Sequence, residues 1–182
     1  MKPVVKKLAG YIRYGVAGSV IVAAWGLGLT GVSNASGTYS AGKATTAEAA
    51  MYREECGACH VAYPAGLLPT ASWSTIMATL DDHFGENAEM SAESAAMITA
   101  YLTDNAGKPG RGMLKRIKGD APLRITELPY FVRKHDEIPE RMVSGNEDVG
   151  SFSNCNACHQ RAESGDFDED SVRIPGYGHW DD

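Results

Sequence analysis

The sequence predicts a mostly α-helical chain, and three observations carry the prediction. Two pentapeptides, Cys56-Gly57-Ala58-Cys59-His60 and Cys155-Asn156-Ala157-Cys158-His159, use all 4 cysteines. Trp73, Ile76, Met77 and Leu80 recur at i, i+3, i+4 and i+7, the spacing of one helix face. The apolar content, 43%, is modest for a core of this size, so additional apolar volume has to come from elsewhere. The pentapeptides supply it. In each, two thiols one helical turn apart form thioethers with haem vinyl groups while the adjacent histidine reaches the iron as proximal ligand. The expected fold class is therefore a small helical one wrapped around two covalent haem c groups, with irregular loops.

The chain opens with Lys2, Lys6, Lys7 and Arg13, continues through an uncharged apolar stretch at 15–32, and reaches Ser33-Asn34-Ala35. This order of basic, apolar and small residues reads as a secretory signal at 1–35, cut after Ala35. The stretch is near the lower length limit for a spanning helix, so an uncleaved anchor is the alternative. Its five glycines favour cleavage. Export to the periplasm fits haem attachment, which takes place outside the bacterial inner membrane, and no cysteine is spare to form a disulfide there. The mature chain of 147 residues keeps 13 Lys and Arg against 23 Asp and Glu, a formal charge of −10. That balance excludes nucleic acid as a partner.

Residues 36–45 are small and polar and read as a flexible leader. Thr46 caps a helix expected over 47–60, built on Ala49, Ala50, Met51, Arg53, Glu54 and Glu55 and closed by the first motif. Tyr63-Pro64-Ala65-Gly66 breaks the chain. The Trp73 stripe marks a second helix over 72–82, and Ser91 caps a third that stops before Gly107. Three short helices with a haem motif on the first resemble a minimal cytochrome c module, here at 46–105. Residues 106–124 are rich in Gly, Pro and basic side chains, with Lys108, Arg111, Lys115, Arg116, Lys118 and Arg124 against Asp120. They read as a linker, with a docking patch for an acidic partner or a counter-charge for haem propionates as the functional alternatives. The second haem module is expected at 125–182. In it, Thr126 caps a short helix with Pro129 in its first turn, leading to His135, and a helix over 151–161 carries the second motif. The acidic end, 163–182, reads as an irregular wrap. Asp166, Asp168 and Asp170 alternate as calcium-loop ligands do, but the glycine and closing glutamate of such a loop are replaced by Ser171 and Tyr177.

A haem iron with one histidine keeps an open axial position, and its occupant sets potential and reactivity. His83, His135 and His179 remain. His83 lies 23 residues after His60 and His135 lies 24 before His159, so the halves are near mirror images in order. Either separation allows a short helical hairpin to cross a haem and bring an imidazole to its far face. His179, 20 residues past His159, competes for the second haem, and Met77, Met90, Met97, Met113 and Met142 are rival sulfur ligands. Met77 and Met97 sit on apolar helix stripes, where packing explains them; Met90 and Met113 stay open.

The segments around Cys56-Gly57-Ala58-Cys59-His60, Tyr63-Pro64-Ala65-Gly66-Leu67-Leu68-Pro69, His83-Phe84-Gly85-Glu86-Asn87-Ala88, Arg124-Ile125-Thr126 and Asn154-Cys155-Asn156-Ala157-Cys158-His159 resemble the small bacterial dihaem cytochrome c family, DHC. The likeness covers most of 46–175, and the segment from His83 to Ala88 is its most specific part. It implies an exported, mostly helical electron carrier with two low-spin haems, some members of the family being associated with a membrane cytochrome b or a soluble oxygen-binding haem protein. It also implies His83 and His135 as distal ligands, and is silent on His179. The expected function is electron transfer from a membrane, quinol-linked donor to a soluble periplasmic acceptor, with membrane contact only through a partner or an uncleaved anchor. Bis-histidine ligation keeps the iron six-coordinate, at lower potential than a Met/His site, and closed to substrate. The rivals are a haem enzyme, such as a peroxidase or small-ligand reductase with one open iron site, a redox subunit of a larger enzyme, and thiol or zinc chemistry at the Cys-x-x-Cys pairs.

Overall fold

A computed structural model describes residues 46–180, which lie in one compact unit. The expected signal segment and leader fall outside the described residues. Among the described residues, five α-helices and one two-stranded hairpin are joined by short 3₁₀ turns and irregular segments. α1 (Ala47–Gly57) starts where Thr46 accepts a hydrogen bond from Ala49 N at 3.2 Å, the capping that the sequence predicts. It ends within the first motif rather than at its histidine. α2 (Thr70–Ala78) buries Trp73 and Ile76, and the remainder of the expected helix tightens into a 3₁₀ turn at Leu80–Asp82. α3 (Ala92–Asp104) is capped by Ser91, whose hydroxyl accepts from Ser94 N at 3.0 Å.

α3 packs against both α1 and α2. Tyr52 meets Tyr101 across the first contact, with ring centroids 5.5 Å apart, and the buried Trp73 indole donates to Ala65 O at 2.7 Å. Ile98 and Leu102, fully buried, close the centre.

Residues 106–124 do more than connect the halves. Met113 and Leu114 are buried in the same core as Ala49, Leu68 and Ile98, and so are Leu128 and Phe131 from the following segment. Gly107 lets the chain come down this closely: it donates to Leu68 O at 2.9 Å, and a Cβ there would collide with the Gly66 carbonyl and lie 2.7 Å from Leu114 Cδ1. α4 (Pro129–His135) then packs on Gly112–Arg116 and Ile125–Glu127, with proline in its first turn as expected.

The second motif differs from expectation in its local structure. α5 spans only Cys155–Cys158, one turn in place of a helix over 151–161. Before it, Asn154 donates its side-chain amide to Val149 O at 3.1 Å and Ser151 Oγ accepts from Ser153 N at 3.1 Å. Short polar side chains that bond the nearby backbone in this way compete with helix formation. The expected irregular wrap contains β1 (Arg173–Ile174) and β2 (Gly178–His179), antiparallel, with Arg173 opposite His179. No helix among the described residues is long and apolar enough to cross a membrane.

Candidate functional site

The first motif sits at the end of α1, with Cys56 on the last turn and Cys59 and His60 just beyond it. Cys56 is half-buried and Cys59 exposed, three residues apart and so toward one side of the turn. His60 Nδ1 lies 2.7 Å from Val61 O. A carbonyl only accepts, so Nδ1 carries the proton and Nε2 keeps its lone pair for a metal.

His83 arrives from a different element. It follows the Leu80–Asp82 turn and pairs with Glu86, donating to its carbonyl at 2.7 Å. Phe84 and Gly85 make this reversal with φ of 59° and 102°, and Gly85 N donates to Asp82 Oδ1 at 3.0 Å. The tight turn holds the His83 ring opposite His60, with centroids 6.3 Å apart and planes 13° from parallel.

In the second half His135 ends α4, and its Nδ1 donates to the Phe131 carbonyl one turn back at 2.9 Å. The Phe131 ring stacks on it at 3.8 Å, and Phe152 meets both rings edge-on. His159 faces His135 at 6.2 Å with planes 65° apart, and Phe167 meets the His159 ring edge-on at 5.4 Å. Cys155 and Cys158, both half-buried, flank an apolar cleft that is partly open to solvent. Leu67, Met113, Met142, Val172 and Trp180 wall it together with the histidine pair.

The spacing within each pair would suit a metal ion held between two imidazoles. Two metal–imidazole bonds of about 2 Å, with half a ring added at each end, span about 6 Å. The donor chemistry fits as well. Burial holds His83, His135 and His159 below the ordinary histidine pKa, the last at about 4, so all three are neutral near pH 7 with a lone pair to share. His60 and Arg124 push the same way on His83, as His135 does on His159, while the Phe131 carbonyl opposes the shift of His135 and Asp166 that of His159. Burial also pushes the thiols of Cys56 and Cys155 up to about 11 and raises that of Cys158. Neither Cys56 nor Cys155 is therefore the low-pKa thiol that leads a redox dithiol. Among the described residues His159 Nδ1 is a buried nitrogen without a hydrogen-bond partner, as suits a ring placed by something besides the polypeptide. The residues present fit two covalently attached haems.

A profile of the dihaem cytochrome c family, DHC, matches residues 52–167. The chain belongs to the dihaem cytochrome c family. It is 48% identical to a dihaem cytochrome c from Shewanella baltica OS155, covering 75% of this chain and 100% of that one, with a TM-score of 0.65. A dihaem cytochrome c from Rhodobacter sphaeroides is 49% identical over 65% of this chain and 95% of its own, with a TM-score of 0.59. No curated protein sequence matches the chain. Membership makes this cytochrome an electron-transfer protein with two covalent haem c groups and their iron.

His179, the competitor for the second haem, is placed elsewhere. It lies exposed on β2 with Nε2 2.9 Å from Asp170 O. Met113 and Met142 are apolar wall of the second cleft, and Met77 and Met90 pack on the main core. Asp166, Asp168 and Asp170 are engaged locally: Asp166 pairs with Arg161 at 2.7 Å, and Asp168 accepts from Asp170 N. The aromatic setting was not read from the sequence. Phe131 lies four residues before His135 in α4 and Tyr63 three after His60 in irregular chain, and nothing in either spacing marks an aromatic contact.

Proposed function

We propose that this cytochrome is a periplasmic one-electron shuttle in which His83 and His135 are the distal ligands opposite His60 and His159. The facing of two imidazole pairs at 6.3 and 6.2 Å carries the reading. Haem iron supplies the one-electron couple, and the protein's part is to leave little to rearrange. The carbonyls of Val61 and Phe131 fix the tautomer of one histidine in each pair. Phe131 stacking and Phe152 edge contact keep the His135 ring from turning. With both imidazoles of a pair holding the iron, a substrate would find no place on the metal.

An enzymatic reading needs a vacant position and an acid or base beside it. The groups facing the histidine pairs are aromatic: Tyr63, Phe84, Phe131, Phe152 and Phe167. Of the acids near the second cleft, Asp166 is engaged by Arg161 and Glu169 by Lys134. The shuttle takes electrons from a quinol-linked membrane cytochrome b and passes them to a soluble haem protein. Exposed Arg111, Lys115, Arg116 and Lys118, set in a chain of net charge −6, support weak and salt-sensitive docking. The test is the spectrum of the exported dihaem protein. Low-spin bands in both oxidation states, no sulfur-to-iron charge-transfer band and no change on adding carbon monoxide are expected. Carbon monoxide capture by the reduced native protein would falsify the shuttle.

A further inference from the structure

We propose that Tyr63 is a coupling residue between the two haem sites: its ring orients the His60 imidazole, and its hydroxyl ties that orientation to the segment bearing the second motif. The inference rests on the bis-histidine reading and asks what joins the two pairs. The Tyr63 ring stacks on His60 with centroids 4.8 Å apart and planes 20° from parallel, on the ring that also faces His83. Its hydroxyl donates to Ser153 O at 2.7 Å, across 90 residues of sequence and two positions before Cys155. Its own carbonyl accepts from Tyr52 Oη at 2.6 Å, and Tyr52 is buried on α1. Tyr63 is thus held from the core of the first half at one end and reaches the second motif at the other.

Two consequences follow from this placement. The ring stacked on His60 helps to set its near-parallel arrangement with His83, and a rotation of His60 would alter the electronic environment of an iron held between them. A displacement of the 153–155 segment is passed to that ring through a rigid phenol rather than through a flexible chain. The electron exchanged between the sites is a single one, one centre being oxidised as the other is reduced. No proton moves, because the phenol keeps its hydrogen on the Ser153 carbonyl. Tyr63 acts through His60 and is a positioning residue.

The test uses the full dihaem protein with Tyr63→Leu and Tyr63→Phe, read by electron paramagnetic resonance and potentiometric titration. Tyr63→Leu is expected to move the low-spin signal of the first centre toward larger g anisotropy and to shift its midpoint potential. Tyr63→Phe keeps the stack, so the signal is expected to stay as in the native protein while the separation between the two potentials changes. A Phe variant whose two potentials both match the native protein would overturn the coupling through the hydroxyl. A Leu variant with both haems and an unaltered first signal would overturn the orienting role. Should Tyr63→Leu fail to retain haem, the Phe titration decides alone. A native protein that is high-spin or captures carbon monoxide defeats the bis-histidine reading itself, an outcome independent of either variant.

Discussion

The two histidine pairs are matched in spacing and unlike in almost everything else. The first is made by a helix end and a strained turn, its rings lie 13° from parallel, and Cys59 beside it is exposed. The second is made by a helix end and a single helical turn, its rings lie 65° apart, and the walls of an apolar cleft line it. Each site has one imidazole donating to a backbone carbonyl, His60 in the first and His135 in the second, so that influence on the iron is balanced. Enclosure is not. Oxidation adds a positive charge, and a low-dielectric wall disfavours the charged form. Arg124, whose guanidinium lies over the Phe84 ring at 4.2 Å, opposes oxidation at the first site, but it is exposed and solvent-screened. Burial therefore decides, and the second centre is expected at the higher potential.

The largest effect to look for is loss of fold with loss of haem. Replacing Cys155 and Cys158 by Ser empties the apolar cleft, and replacing Cys56 and Cys59 empties the more open site. Removing one large buried aromatic costs about 3–5 kcal/mol, and a haem presents more apolar surface than that. Circular dichroism is expected to show both variants destabilised and the Cys155/Cys158 variant more so; equal melting of the two would erase the contrast in enclosure. Next in size are the distal variants. His83→Ala is expected to abolish the signal of a near-parallel pair and His135→Ala the strongly axial signal of a crossed pair, each converting one haem to a form that captures carbon monoxide. If either variant altered both signals equally, the sites would not be separable. Potentiometry of the same variants assigns the two midpoints, and finding the higher one at the His60/His83 site would reverse the argument from burial. The smallest effect concerns the shared core. Gly107→Ala sets a methyl against the Gly66 carbonyl, and the expected loss is about 1–3 kcal/mol in denaturant titration, with both haem spectra unchanged.

Much of the site was legible because its chemistry is local. The two pentapeptides, and the distances from His60 to His83 and from His135 to His159, are linear features. So are the caps at Thr46 and Ser91 and the proline that starts α4. What escaped was set by tertiary packing. Residues 106–124 have the composition of a linker, yet Met113 and Leu114 are buried, since Gly107 brings that stretch against Leu68. Helical propensity around the second motif yields to the side chains of Ser151 and Asn154, which take up backbone partners. Aromatic residues carry no spacing code of their own, so the stacking of Tyr63 on His60 and of Phe131 on His135 had to be seen in three dimensions.

Phe84 shows where durability and exposure part company in this molecule. At φ 59° its backbone occupies a region that glycine enters freely and that costs other residues about 1–2 kcal/mol, while 42% of the residue faces solvent. Selection for heat resistance alone would put glycine there. The turn would relax, and the aromatic surface beside His83 would vanish with the platform on which Arg124 rests.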